Sequence, residues 1–345
     1  MGDVNGESRV ISNNKYVQQK ERYCMIRSVS RKAIYFPVLI SLLSMDVVIG
    51  YASQVYITNQ SSNTISIIES SNFRAIATID AEASKPHNVT FTPDGSEAWV
   101  SNVGSNNITI MDTARMSVKQ TIAGGTKAHA VTFSPDGKFA YLANPGSNDV
   151  WVFDAKSKKE MARIPVGKAP ALVVFSTDGK LAYVSNGGSM DISIIDTAEM
   201  KVIGAIPAGK DAMGMGISPD GKLLYVTTGG ENKLVIIDTM EKKIIGEIPT
   251  GTDAHGLAIS PDGRFLYISN RGDNNLAVVD TAKKEVIAKI EIGKRPDILA
   301  ITPDGRSVFV TNRSDDTVSV IDTSSRKVVA TIVTGKEPHG IAIMK

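Results

Sequence analysis

The chain has one cysteine, Cys24, among 345 residues, and it lies ahead of the only long apolar run. Removal of an N-terminal leader would leave none. Disulfides, thiolate catalysis, cysteine-ligated zinc, iron–sulfur clusters and covalent c-type haem attachment are thereby excluded for the body of the protein. Aromatic residues make up only 6%, with two tryptophans, which weighs against a single-strand nucleic-acid platform, where bases stack on aromatic rings. Charge of one sign is also missing. Met1 to Ala52 holds 7 basic and 4 acidic residues, and from Ser53 on 31 basic residues face 32 acidic ones. A body this close to neutral does not bind nucleic acid through bulk charge. What remains, 42% hydrophobic and 21% charged, is ordinary globular composition for one large β domain or two smaller ones.

The apolar run Ala33 to Ile49, "AIYFPVLISLLSMDVVI", follows "RSVSRK" and leads into Gly50-Tyr51-Ala52-Ser53. Basic flank, apolar core and small residues in that order read as a secretory signal peptide with a cut after Ala52. With Pro37 and Asp46 inside its 17 residues, the run makes a poor spanning helix, and an uncleaved membrane anchor is the alternative. The polar stretch Met1 to Cys24 is long for the basic region of a signal, which points to Met25 as the start of translation. Residues 1–52 are thus expected to be an extension and leader. Residues 53–345 are expected to be one domain that works in the periplasm, in the medium or at the cell surface.

Self-similarity decides the fold. Pro-Asp-Gly recurs with its aspartate at Asp94, Asp136, Asp220, Asp262 and Asp304, and Ser-Thr-Asp-Gly fills the gap at Asp178; every interval is 42. Asp112, Asp154, Asp196, Asp238, Asp280 and Asp322 keep the same interval, as do Trp99, Tyr141, Tyr183, Tyr225, Tyr267 and Phe309. One period, "HGLAISPDGRFLYISNRGDNNLAVVDTAKKEVIAKIEIGK", holds four short β-branched stretches: His255 to Ser260, Phe265 to Ser269, Leu276 to Val279 and Val286 to Ile292. Turn chemistry separates them, and none has helical length or periodicity. Four antiparallel strands every 42 residues predict an all-β propeller, and seven periods of 42 span the 294 residues from Ala52 to Lys345.

The chain enters this pattern at "VYITN", a second-strand sequence, and stops at Met344 and Lys345 after one first strand. The last strand, from Pro338, is therefore expected to complete the first blade and close the ring, covering edges that would otherwise stand open. The only departure from the interval is one extra residue between Glu69 and His87.

"VYITN", "AWVSN", "AYVSN", "LYISN" and "VFVTN", the Asn-rich loops that follow them, and "PHG" before "SPDG" resemble the YVTN family of β-propellers from Ala52 to Lys345. Thr228 stands where that pattern has Asn, and Thr177 where it has Pro. The resemblance implies a seven-bladed propeller outside the cytoplasm. It leaves function open, because binding and scaffold proteins share this fold with haem- or quinone-linked enzymes and lactonases.

The four histidines, His87, His129, His255 and His339, fall at one repeat position, at the mouth of the first strand. Ala171, Met213 and Asp297 hold that position in the other blades. Ring closure would put His339, His87 and His129 in consecutive blades, with His255 across the ring. Imidazoles converging on a channel can bind zinc, copper or haem iron, and Met213 adds a soft donor. The plainer reading is a histidine that hydrogen-bonds a neighbouring blade. Just ahead lie Lys85, Lys127, Lys168, Lys210, Lys294, Arg295 and Lys336, with Arg271 and Arg313 in loops nearby. Such cations either capture an anion or an acidic partner, or are simply solvated. Asn59, Asn102, Asn144, Asn186, Asn270 and Asn312 read as loop-fixing residues, and the two aspartate rings of the opposite face as turn caps rather than calcium ligands.

No Ser-His-Asp order, phosphate loop or H-E-x-x-H is present. Asp297 is the lone carboxylate at its repeat position. The expected role is a monomeric binding or scaffold module that takes a protein partner or an anionic ligand at His87, His129, Met213, His255, Asp297, His339, Arg295 and Lys336. No cofactor is demanded. The alternative is a lactonase-like hydrolase, or a redox accessory with metal or haem on His87, His129 and His339.

Overall fold

A computed structural model describes residues 53–344; the expected leader, residues 1–52, lies outside them. The described residues form seven four-stranded antiparallel sheets. Gln54–Asn59, Thr64–Glu69 and Arg74–Asp80 are joined by Pro338–Ile343 as the innermost strand of blade 1, with Val55 opposite Ile343, Tyr56 opposite Ala342 and Ile57 opposite Ile341. The ring closes as the sequence predicts. Blades 2 to 7 follow in order, their inner strands being Pro86–Phe91, Ala130–Phe133, Pro170–Phe175, Ala212–Ile217, Ala254–Ile259 and Pro296–Ile301.

Blades stack face to face, so second and third strands are covered on both sides. They read as nearly continuous apolar runs, as in Leu223–Thr228 and Lys233–Asp238, rather than as period-two alternation. The outer strands, with one free edge, alternate exposure. Apolar clusters fill the space between adjacent blades: Trp99 of blade 2 packs on Phe133 and Phe153 of blade 3, and Tyr141 of blade 3 on Phe175 of blade 4.

The turn chemistry does what the sequence implies. Asp136 accepts from the Ser134 hydroxyl at 2.7 Å and the Lys138 N–H at 3.1 Å through one oxygen. Asp196 likewise accepts from Ala198 and Glu199 N–H groups at 3.0 and 2.9 Å. Gly137 takes φ +71°, which a side chain would strain.

The Ser/Thr-Asn pair that ends five of the seven second strands has two jobs. The hydroxyl ties the blade to the next one: Thr58 donates to the His87 carbonyl at 2.8 Å, Thr227 to that of His255 at 2.6 Å, and Thr311 to that of His339 at 2.9 Å. The amide fixes its own loop, as Asn186 does on Asp191 at 2.8 Å. Where Thr228 replaces Asn, the loop becomes the 3-10 turn Gly229–Glu231, the one such turn among the described residues.

In three blades a glycine, Gly214, Gly256 or Gly340, follows the histidine position, and there the ties bring backbones too close for a side chain. A Cβ on Gly256 would lie 2.4 Å from the Asp297 carbonyl, and one on Gly340 2.4 Å from that of His87. Gly256→Ala is expected to cost about 2 kcal/mol by forcing blades 6 and 7 apart. A denaturant midpoint equal to that of the parent chain would show that the contact relaxes freely.

Candidate functional site

The inner strands begin on one face, and the residues at their mouths form a layer in the order His339, His87, His129, Ala171, Met213, His255, Asp297. His87, His255 and His339 are buried, His129 is partly so, and Asp297 is wholly enclosed. His255 stands across the ring from His87 and His129, three blades from each, and two blades from His339, with Asp297 between.

Each imidazole of the trio clamps the next blade. His339 Nδ1 meets the His87 carbonyl at 3.0 Å, His87 Nδ1 that of His129 at 3.1 Å, and His129 Nδ1 that of Ala171 at 2.7 Å. A carbonyl only accepts, so Nδ1 carries the proton and a neutral ring keeps its lone pair on Nε2. The rings lie tilted against one another, with centroids 3.7 and 4.0 Å apart. Among the described residues no group of three or more His, Cys, Asp or Glu side chains has the geometry to hold a metal ion. Beneath the layer, His87, His129, Met213, His255 and His339 border a cavity of about 50 Å³. That admits a few waters, at about 10–15 Å³ each; a haem does not fit.

Asp297 organises the rest. Its Oδ1 accepts from Arg271 Nε at 3.1 Å and Nη2 at 2.5 Å, and lies 3.1 Å from His255 Nε2. Arg271 also donates to His255 Nε2 at 2.6 Å. Asp297 Oδ2 faces His339 Nε2 at 3.3 Å and Arg313 Nη1 at 3.7 Å, without a hydrogen bond to either. Burial pushes the Asp297 carboxyl up, but the His339 and His255 rings and the Arg271 guanidinium outweigh it and hold it below the usual carboxylate range. It stays ionised.

For His339, two acceptors flanking the ring favour an imidazolium. Burial opposes this, Arg271 and Arg313 oppose it too, and they win, bringing its pKa down to about 4. Burial and the neighbouring His339 charge lower His129 to about 4 as well, and burial takes His87 and His255 well below the usual value. At neutral pH the layer is therefore one carboxylate, two guanidinium groups and four neutral rings.

The cations flagged in the sequence sit on loops around this layer. Lys85, Lys127, Lys168, Lys210, Lys294, Arg295 and Lys336 are exposed. Their loops are pinned: the Lys85, Lys127 and Arg295 N–H groups donate to Asn63, Asn106 and Asn274 at 2.9, 2.7 and 2.8 Å. Carboxylates interleave with them, among them Glu82, Asp211, Asp253, Asp315 and Glu337. The face is thus of mixed sign and not a basic ring. Ion pairing within it runs through Lys233 with Glu231 at 2.7 Å and Arg313 with Glu337 at 4.0 Å. Arg271 and Arg313, read from sequence only as neighbours, prove to be the partners of Asp297. Their signal was present: both replace uncharged residues at one loop position, Arg271 in blade 6 and Arg313 in blade 7, whose inner strand carries Asp297.

Residues 37–345 match the family model described as YNCE-like beta-propeller. No curated protein sequence matches the chain. Hydrazine synthase of Kuenenia stuttgartiensis has a similar structure, with a TM-score of 0.72 and 24% identity over 78% of this chain and 92% of that one. A functionally unknown protein of Desulfotomaculum acetoxidans superposes with a TM-score of 0.75 and 15% identity, over 84% and 98%. The dihydro-haem d1 dehydrogenase NirN gives 0.66 and 15%, over 84% and 75%. At these identities the likeness is one of fold.

Proposed function

We propose, for a chain that belongs to the YNCE-like β-propeller family, a binding or scaffold role outside the cytoplasm, with a protein partner recognised on the loop face around the histidine layer. One observation carries this reading: the imidazoles at the channel mouth are tied by hydrogen bonds to the next blade or to Arg271, and the cavity they line holds only about 50 Å³. That volume takes a few waters and not a substrate of ordinary size, so recognition falls to the loops. Those loops are held by backbone hydrogen bonds such as Val103 N–H to Lys85 O at 3.1 Å and Arg313 N–H to Arg295 O at 3.1 Å. A pre-organised surface carrying both charge signs suits a complementary protein better than a polyanion. We assign the repeat to the YVTN type on the Ser/Thr-Asn strand ends, and the extracytoplasmic location on the apolar run Ala33 to Ile49 with its basic flank.

The test compares two triple reversals in the mature chain. Lys85→Glu, Lys127→Glu and Lys168→Glu should abolish capture of a partner from the organism's own extracytoplasmic proteins. Lys138→Glu, Lys180→Glu and Lys222→Glu, on the opposite face, should leave it intact. Equal effects of both sets would overturn the assignment.

A second reading has one point in its favour. The Nδ1 bonds of His87 and His129 leave their Nε2 lone pairs unused, and both residues line one cavity with Met213, residue types that suit copper. Metal analysis of the purified protein separates the two readings, since a binding module needs no stoichiometric copper, zinc or iron.

A further inference from the structure

The repeat provides its own controls on the opposite face. The second strand opens with Phe139, Leu181, Leu223 and Phe265 in four blades and with neutral Gln54 and Ser307 in two more; in blade 2 it opens with Glu97. Glu97 is 8% exposed. Lys119 Nζ lies 2.8 Å from Oε1, Lys158 Nζ 2.5 Å from Oε2, and the Trp99 indole N–H donates to Oε2 at 3.2 Å. Lys158 reaches in from blade 3, its side chain 16% exposed, whereas Lys242, Lys284 and Arg326 at the same turn position stand out in solvent. It also donates to the Ala155 carbonyl at 2.7 Å and lies over the Trp99 ring. This assembly forms one wall of a groove of about 460 Å³ between blades 2 and 3.

Replacing a buried carboxylate and its cations by apolar residues is commonly neutral or stabilising, and the sister blades carry apolar residues at this point. Stability therefore does not account for Glu97. Two ammonium groups on one carboxylate leave a surplus positive charge, and Lys158 has spent two of its three N–H donors. Lys156 stands at the lip. Across the groove Asp94 holds its turn through Oδ1 alone, accepting from Thr92 and from Ser96, so Oδ2 is left to accept from a ligand. Asp136, on blade 3, lines the groove too, with its Oδ2 3.0 Å from Lys138 Nζ. Cations and carboxylates around one groove suit a molecule with one anionic group and several hydroxyls, while a bare anion would be repelled by Asp94 and Asp136.

We propose that this groove binds a small hydroxylated oxyanion, a sugar acid or sugar phosphate. The charged group sits on Lys156 and Lys158, and the hydroxyls meet Asp94 and Asp136. Glu97 is the positioning residue that holds the Lys158 side chain against Trp99.

Calorimetric titration of the full chain with D-galacturonate, galactose 1-phosphate, neutral D-galactose and inorganic phosphate tests this. At least one acidic sugar should bind, with a Kd of about 1 mM or tighter and at least roughly tenfold more tightly than galactose or phosphate, as one charge-assisted hydrogen bond allows. Which acid binds tells the carboxylate source from the phosphate source. Lys158→Met should weaken binding about tenfold. The pair Glu97→Leu with Lys158→Met gives the boundary of blades 2 and 3 the residue types that blade 4 has at these positions, Leu181 and Met200; it should keep the parent's denaturant midpoint and lose binding. No saturable binding of either acid, equal binding of galactose or phosphate, or full binding by the double variant would each overturn the proposal. Because the groove is on the face away from the histidines, its failure would leave the loop-face reading untouched.

Discussion

Asp297→Ala is expected to destabilise the propeller by about 3–5 kcal/mol, the usual cost of removing one partner from a buried ion pair. Arg271 would lose both of its hydrogen bonds to the carboxylate while staying mostly buried, and Arg313 would lose the nearest opposite charge. Restoring charge balance should recover part of the loss, so Asp297→Ala combined with Arg271→Leu is expected to be more stable than Asp297→Ala alone. Arg295→Ala, two residues away on an exposed loop, should change stability by less than about 0.5 kcal/mol. Urea unfolding at pH 7 measures all three. A loss below about 1 kcal/mol for Asp297→Ala would mean that water reaches the two guanidinium groups and that the layer is looser than described.

Acid should begin to destabilise the protein above the pH at which its carboxylates titrate. His129 and His339 have folded pKa values of about 4 against 6.5 for a free ring. Between those values the unfolded chain binds more protons than the folded one, so stability falls as pH falls through this window, and the full penalty is reached below pH 4. For His339 alone the shift corresponds to about 3 kcal/mol. His129 adds up to a similar amount, and His87 and His255 act in the same direction. Asp297 works in a lower window: its contribution is present above the ordinary carboxylate pKa and is lost only below it. Denaturant midpoints at pH 7, 5.5 and 4.5 should therefore drop while the aspartates of the turns remain ionised. A flat profile down to pH 4.5 would show that the imidazoles are solvated. His339→Asn, which keeps a side chain able to donate to the His87 carbonyl, should flatten the profile.

The architecture was legible because it rests on sequence periodicity alone. An interval of 42 between the turn aspartates fixed the number of blades, and a chain that enters on a second strand and leaves on a first strand required the closure seen between Ile57 and Ile341. The turn caps were equally local, since Asp136 bonds residues two positions away on either side. The site was legible only in part. The histidine layer could be placed, because equal positions in equal repeats share a height along the axis. Its hydrogen bonds could not, because each runs from one blade to the next, as from His87 Nδ1 to the carbonyl 42 residues on.

Charge clusters show the same divide. Arg271 meets Asp297 across 26 residues and Lys158 meets Glu97 across 61, in both cases across a blade boundary. The even spacing of Lys85, Lys127 and Lys168 suggested a basic ring, yet the loops of the same face bring Asp211, Asp253 and Asp315 among them.

By itself the sequence determined that the chain folds as seven equal sheets closed by its own tail, since turn residues and β-branched runs act within a single repeat. Only the tertiary structure decided that the histidines clamp blades together, that Asp297 lies between two arginines and that Glu97 gathers two lysines. Those outcomes depend on which side chains of neighbouring blades come within about 3 Å, a distance set by how the sheets stack and not by any spacing along the chain.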